Sequence, residues 1–256
     1  MTTKTIDVAI DGAFGLLTST ISFLNPSLGI VAMAASPALA EQVKIWLKKW
    51  VNQGKITQRE CSRMMSGVDG IMDTLIYYKE HEKIREDSLL QPNEDGFCDA
   101  DDIFEFVLNH IKQDSERKKS YFCGIFIGSI PYAIDLDYDN LIQYGRIVSQ
   151  LSYRELCILR NLHVAFKDMG VSFAEAEKYV KVKEDTKASE LLSDILHLRN
   201  LGLVNTLAPY NVGDNIGVVA ISFSGIRLFK LMRLNILDSD DVNKSLGDML
   251  RITKYL

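Results

Sequence analysis

The sequence predicts a mainly α protein with a small β-hairpin near its C-terminus. Apolar residues recur three to four positions apart through most of the 256 residues, which is the spacing of helices with one buried face. The composition, 47% hydrophobic and 25% charged with five prolines, is that of a folded protein. Two short apolar runs, 203–207 and 216–223, flank a turn-rich segment and predict the hairpin. A chain of this length can form two domains, and we expect them at 1–150 and 151–256.

The first predicted element is an apolar helical hairpin over residues 6–51. No charged residue occurs from Gly12 to Ala40, and Asn25-Pro26 divides this run into two arms. Each arm spans roughly 20 Å of helix. A helix that crosses a bilayer needs about 20 residues, which is about 30 Å, so neither arm is long enough to cross comfortably. Tryptophans mixed with lysines after an apolar segment are typical of a membrane-surface anchor, and the residues in question are Trp46, Trp50, Lys44, Lys48 and Lys49. The alternative is a hairpin packed inside the protein, and both interpretations remain open.

Three further helices are predicted before residue 150. Thr57 and Glu60 form a capping box for a helix that extends to about Arg85. Residues 86–102 contain seven acidic residues together with proline and glycine, which indicates an acidic linker. The elements expected after it are a helix over 103–114 capped by Asp101 or Asp102, a buried apolar segment from Tyr121 to Ile130, and a helix from about Asp139 to Val148.

The region after residue 150 has a different order of elements. Ser152 and Glu155 form a capping box for a helix that closes near Gly170. Helices over 173–182 and 187–201 follow, and Gly202 ends the second of them. After the hairpin, Ser224 is expected to cap a closing helix over 225–235. Three helices, a two-stranded wing and a final helix are the order of a winged helix.

Two segments carry a resemblance to known proteins. Residues 151–234 resemble winged-helix domains of bacterial regulators, through 198–204 at the exit of the third helix and 221–225 at the return from the wing. Residues 100–162 are similar to bacterial prophage and phage-defence proteins, including abortive-infection proteins, through 105–108, 118–119 and 151–156. The resemblance implies a non-enzymatic bacterial defence protein. It would act through a protein partner or self-association and through membrane association of its N-terminal hairpin.

The alternative function is that of a winged-helix DNA-binding transcriptional regulator. The third helix offers Lys187, His197, Arg199 and Asn200 as residues that could reach phosphates and bases. Glu190 and Asp194 oppose them on the same helix, and the wing tip over 211–215 contains no lysine or arginine. Phosphate neutralisation dominates the affinity of DNA-binding proteins. The sequence therefore favours a winged helix that contacts proteins.

No residue pattern in the sequence names a reaction. The four histidines do not follow a metal-binding spacing, and the common nucleophile-elbow and phosphate-loop motifs do not occur. Asp135, Asp137 and Asp139 resemble the start of a calcium loop, but Asn140 and Arg146 occupy its sixth and twelfth places, so a helix-capping turn is favoured. We therefore predict no enzymatic activity, metal or cofactor. The four cysteines are widely spaced, which fits a reducing cytoplasm. The predicted anchor in the N-terminal hairpin adds a peripheral location at the inner face of the membrane.

Overall fold

The computed structural model describes residues 58–79, 83–91, 94, 98–164, 171–172, 186–207 and 218–253. These residues are mainly helical with a small antiparallel β-hairpin, which confirms the predicted fold class. The chain divides into two compact units, one ending at Ser149 and the other beginning at Gln150. The predicted apolar hairpin, the Thr57 cap, the helix over 173–182 and the wing tip lie outside the described residues.

The described part of the first unit consists of four α-helices and two short 3-10 turns. The helices are α1 (Gln58–Lys79), α2 (Asp99–Gln113), α3 (Arg117–Ser129) and α4 (Tyr138–Gln150), and the turns are Ser88–Leu90 and Ile130–Tyr132. Ten of the thirteen residues of α3 are buried, because its second half is apolar on every side. The prediction that the segment from Tyr121 to Ile130 is buried is confirmed for every residue except Tyr121, which is half-buried.

Helices α1 and α3 pack backbone against backbone at their glycines. A Cβ atom built on Gly124 of α3 would overlap the carbonyl oxygen of Gly67 in α1. A Cβ atom on Gly70 would likewise overlap the carbonyl oxygen of Tyr121. Because no side chain fits between the two backbones, glycine is required at these positions.

Two helix boundaries in the first unit differ from the sequence prediction. Helix α1 ends at Lys79. Arg85, which the prediction placed at the end of this helix, is instead a buried anchor. Its backbone N–H donates to Pro131 O at 2.9 Å, and its Nη2 donates to Leu136 O at 2.9 Å. Helix α2 begins at Asp99 after Cys98, because the Asp101 carboxylate accepts the Cys98 backbone N–H at 2.9 Å. The expectation that Asp101 or Asp102 is the N-cap was therefore wrong.

The aspartates before α4 form the predicted capping turn. Asp137 Oδ1 accepts the backbone N–H of Asn140 at 2.8 Å and a hydrogen bond from its side-chain amide at 2.6 Å. These bonds favour the charged carboxylate and lower the pKa of Asp137. No group of three His, Cys, Asp or Glu side chains within the described residues is placed to hold a metal ion.

The second unit combines helices with a three-stranded antiparallel sheet. Its elements are α5 (Tyr153–Val164), β1 (Val171–Ser172), α6 (Thr186–Asn200), β2 (Val204–Leu207), β3 (Val218–Ile221), α7 (Phe223–Leu231) and α8 (Ser239–Thr253). The strand order is β1-β3-β2. In the β2–β3 hairpin Val204 pairs with Ile221 and Leu207 pairs with Val218.

The ends of α5 and α6 carry the predicted caps. Glu155 Oε2 accepts the Ser152 backbone N–H at 2.7 Å, and Ser152 Oγ accepts the Glu155 N–H at 3.2 Å, which is the reciprocal bonding of a capping box. Gly202 has a φ of 73° after the last turn of α6. Its N–H donates to Arg199 O, and Leu203 N–H donates to Leu198 O, so α6 ends in a Schellman motif.

The C-terminal part of the second unit departs from the prediction. Ser222 and not Ser224 caps α7, because Ser222 Oγ accepts the Gly225 N–H at 2.9 Å and donates to Gly202 O at 2.6 Å. Helix α8 was not predicted. It packs against α5 and α6, and the buried amide of Asn161 donates to Val242 O at 3.0 Å.

Candidate interaction site on helix α6

Helix α6 has one buried face, and its exposed residues are the charged Lys187, Glu190 and Arg199 together with an uncharged line. The buried residues are Ala188, Leu191, Leu192, Ile195 and Leu198, whose helical spacing directs them to one side of the helix. The opposite side carries a line of exposed residues, which we call the outward stripe: Thr186, Ser189, Ser193, Leu196 and Asn200. The stripe contains hydroxyl, amide and aliphatic groups, and Leu196 remains 38% exposed.

The first turn of α5 contributes one cation to the acidic flank of this helix. Arg154 Nη1 lies 2.9 Å from Glu190 Oε2, and Arg154 Nε lies 3.0 Å from Asp194 Oδ2. The two acidic residues that the sequence analysis counted against phosphate binding therefore share a cation from the neighbouring helix.

Glu155 performs a second task beside its capping role. Its side chain is 4% exposed, and its Oε1 lies 2.5 Å from His197 Nδ1, while Oε2 accepts hydrogen bonds from Ser152. Because a carboxylate only accepts hydrogen bonds, this contact assigns a proton to Nδ1. The other ring nitrogen, Nε2, has no hydrogen-bond partner among the described residues, and the imidazole is 40% exposed.

The Asp194 carboxyl of this cluster has a raised pKa. Burial raises the pKa of the Asp194 carboxyl to about 6, with the negative charges of Glu155 and Glu190 acting in the same direction. Arg154 and His197 act against this increase without cancelling it. We refer to Arg154, Glu155, Glu190, Asp194 and His197 together as the charge network.

The predicted nucleic-acid residues all fall on α6, but not on one surface. Lys187 is exposed in the first turn, Arg199 and Asn200 are exposed in the last, and His197 is held by Glu155. Sequence reasoning missed the contributions of α5. The capping-box pattern did identify Glu155, but nothing in that pattern indicated that its second oxygen would contact a helix 42 positions away.

A second charged cluster lies inside the first unit. Asp114 Oδ2 is 2.8 Å from His110 Nε2 and 2.7 Å from Lys119 Nζ, and Lys119 also donates to Ser149 O at 3.0 Å. Burial would raise the pKa of the Asp114 carboxyl, but hydrogen bonds from His110, Lys119 and the Glu116 N–H together hold it well below its usual range. Since Lys119 is only 3% exposed, this cluster joins α2, α3 and α4 and offers little to a ligand.

The predicted membrane-interface residues belong to the N-terminal segment. Trp46, Trp50, Lys44, Lys48 and Lys49 lie outside the described residues. Among the helices that the structure does describe, none combines the length and the apolar character needed to cross a membrane.

Comparisons with known proteins identify no relative. No protein-family model, curated protein or solved structure matches the chain. The functional interpretation therefore depends on the geometry of α6 and its neighbours, together with the resemblances of the sequence.

Proposed function

We propose that the second unit is a winged helix and that the protein is a non-enzymatic bacterial defence protein acting through protein assembly. The order α5-β1-α6-β2-β3 supports the winged helix, and so does the β1-β3-β2 sheet with α6 immediately before the hairpin. The likeness of residues 100–162 to phage-defence proteins supports the biological role. Function itself has to be argued from the site, because one fold serves many functions.

The observation that carries the proposal is the uncharged outward stripe of α6. Charged residues are depleted in the cores of protein interfaces, whereas DNA-binding surfaces need lysine and arginine to neutralise phosphates. The stripe has no charged residue, and its centre consists of Ser193 and the exposed Leu196. A protein partner or a second copy of the chain fits this surface better than DNA does.

The proposal is tested by phage challenge of bacteria that express the full chain. Wild-type protein should lower the efficiency of plating, and Leu196→Asp should restore it by placing a charge in the stripe. Ile236→Asp is the matched control, because Ile236 is 39% exposed in the same unit but lies outside α6. Sedimentation velocity should show assembly for wild type and the control only. Absence of protection, or protection unchanged by Leu196→Asp, would count against the proposal.

The proposed membrane association depends on the N-terminal segment. We propose that Trp46 and Trp50, with Lys44, Lys48 and Lys49, hold the assembled protein at the inner face of the membrane. Flotation with vesicles of phosphatidylglycerol and phosphatidylethanolamine tests this directly. The double variant Trp46→Ala, Trp50→Ala should remain at the bottom of the gradient, and wild type should float. Wild-type protein that never floats would remove the membrane from the proposal.

DNA binding is the second candidate function, and the position of α6 favours it. In a winged helix this helix enters the major groove, and Lys187, Arg199 and Asn200 are exposed on it. Fluorescence anisotropy with a labelled duplex at low salt should then detect binding that the double variant Lys187→Ala, Arg199→Ala weakens. The double variant should also reduce the slope of log K against log salt by the amount expected for the loss of about two phosphate contacts. No binding at low salt would end this candidate.

A further inference from the structure

We propose that the exposed side of α7 is a binding site for single-stranded nucleic acid. An unpaired base would stack on the ring of Phe223, and basic residues on the same side of the helix would contact the neighbouring phosphates. The site is separate from α6, so it depends on neither of the functions proposed above.

Helix α7 has one aromatic and basic side. Phe223, Arg227 and Lys230 are four and three residues apart, so they lie on the same side of the helix. We call these three residues the basic-aromatic face. The buried residues occupy the opposite side and are Gly225, Leu228, Phe229 and Leu231.

The base of the β2–β3 hairpin fixes Phe223 in an outward position. Ser222 Oγ donates to Gly202 O at 2.6 Å and accepts the Gly225 N–H at 2.9 Å. A Cβ atom built on Gly225 would overlap the carbonyl oxygen of Leu203, so the first turn of α7 lies directly against the backbone there. Because Gly225 faces the hairpin, Phe223 on the opposite side of α7 faces solvent and is 74% exposed.

The guanidinium of Arg227 lies over the ring of Phe223, with Cζ 5.4 Å from the ring centroid. This cation–π contact covers one face of the ring. Since Phe223 is 74% exposed, the other face is open to a ligand. Bases of single strands stack on aromatic rings of this kind, and arginine beside the ring strengthens the binding. A base on the open face would complete a stack of cation, ring and base.

The sequence around this face is basic. Residues 218–237 contain Arg227, Lys230 and Arg233 and no aspartate or glutamate. Single exposed apolar residues are common on protein surfaces, so Phe223 is informative only together with these cations. Phosphates of a nucleic acid strand require such cations.

The elements packed against α7 add no open carboxylate to this face. Helix α5 packs against α7, where the His163 and Phe229 ring centroids are 4.2 Å apart. Glu155 is the one acidic residue of α5, and its two oxygens contact Ser152 and His197. The 3-10 turn Leu234–Ile236, which also contacts α7, contains no charged residue.

A single strand fits the basic-aromatic face better than duplex DNA or a membrane does. In a duplex the bases are paired and stacked, so an open base face has to be obtained by unstacking. Binding to a membrane surface grows with the buried apolar area, and Phe223 is the one exposed apolar residue of α7. From Phe223 to Lys230 the face extends for about 10 Å, about three nucleotides at the stacked spacing of about 3.4 Å.

Fluorescence anisotropy of the full chain with a labelled oligodeoxythymidine at low salt tests the inference. Wild type should bind the strand. Phe223→Leu should raise the dissociation constant about tenfold, because leucine keeps an apolar side chain but removes the ring. The slope of log K against log salt should not change in this variant, since no cation is lost. An oligouridine of the same length shows whether DNA or RNA is the preferred strand.

The double variant Arg227→Gln, Lys230→Gln should weaken binding and also reduce the salt slope. The expected reduction is about 1.4, the value for two phosphates of a single strand. The matched control is Lys83→Gln, Lys244→Gln, which removes two cations from exposed positions outside the face and should bind as wild type does. Far-UV circular dichroism checks that each variant is folded.

Four results would overturn the inference. Wild type that binds no strand at low salt, or Phe223→Leu that binds as wild type does, would remove the stacking site. Equal weakening by the two double variants would show that net charge explains the binding. A duplex bound as tightly as the single strand would show the same for the phosphate backbone. Flotation on phosphatidylglycerol vesicles that Phe223→Leu abolishes, without strand binding, would assign the face to an anionic lipid surface instead.

Discussion

The two units use charged and small residues in opposite ways. In the first unit α1 and α3 meet at bare glycine backbone, and the Asp114–Lys119 ion pair is almost fully buried. In the second unit the ion pairs of Arg154 lie at the surface, and the imidazole of His197 is 40% exposed. The contrast suggests that the first unit is built for fixed geometry. The second keeps its charged groups where a partner can reach them.

The largest expected effect comes from filling the closest helix contact of the first unit. Gly124→Ala places a methyl group onto the carbonyl oxygen of Gly67, so α1 and α3 must separate. We expect the free energy of unfolding to fall by more than about 3 kcal/mol, beyond the usual cost of an overpacked core. Urea denaturation measures the loss, and hydrogen exchange should locate it in α1 and α3.

The matched glycine variant in the second unit should change the free energy of unfolding in the opposite direction. Gly247 lies in α8, and no atom lies within 4 Å of a Cβ built there. Gly247→Ala should raise the free energy of unfolding by up to about 1 kcal/mol through helix propensity. Equal destabilisation by both variants would contradict the backbone-contact interpretation of α1 and α3.

The next comparison sets a buried ion pair against an exposed one. Lys119→Met leaves the buried Asp114 without its cation and should cost about 3 kcal/mol. Arg154→Met breaks pairs in which Arg154 is 34% and Glu190 62% exposed, and should cost below about 1 kcal/mol. Urea denaturation at neutral pH measures both losses of stability. Similar losses would show that burial does not decide how strongly an ion pair stabilises the protein.

The same lysine variant should change the response to acid. The pKa of Asp114 is lowered in the folded state, so its stabilisation is full above the ordinary aspartate pKa and is lost as the pH falls toward the folded value. Wild type should therefore lose more stability than Lys119→Met between about pH 5 and about pH 2. Parallel pH profiles would exclude Lys119 as a cause of the lowered pKa.

Sequence patterns predicted the local features of this fold better than the contacts between elements. The Ser152–Glu155 capping box and the Gly202 helix end depend on residues a few positions apart, and both are present. The Arg85 anchor joins groups 51 positions apart, and the contact between Glu155 and His197 joins groups 42 apart. Such pairs leave no periodic signal in a single sequence, so the charge network on α6 could not be predicted.

The cap of α7 provides a smaller test of a boundary that the sequence placed two residues too late. Ser222→Ala removes the bond to the Gly225 N–H and the bond to Gly202 O, which should cost about 1–2 kcal/mol. Ser224→Ala is the matched control and should be nearly neutral, because Ser224 lies within the first turn of α7. A larger cost for Ser224→Ala in urea denaturation would restore the original assignment.

The smallest effect concerns Asp194, where removing a charge should stabilise the protein instead of weakening it. Its pKa of about 6 lies above the ordinary aspartate value, so the folded chain holds this proton more tightly than the unfolded chain does. The resulting stabilisation is full below the unfolded pKa and disappears as the pH rises through about 6.

At neutral pH the ionised carboxylate therefore costs stability that Asp194→Asn would recover. Because the side chain is 23% exposed and solvent screens the site, the gain should stay near or below about 1 kcal/mol. Wild type and variant should converge as the pH falls below about 4, since Asp194 is then uncharged in both the folded and the unfolded chain. A variant that is less stable at neutral pH would mean that Arg154 stabilises the charged form more than burial and the acidic neighbours oppose it. A gain at neutral pH that vanishes in acid would locate a titrating group on the flank of α6.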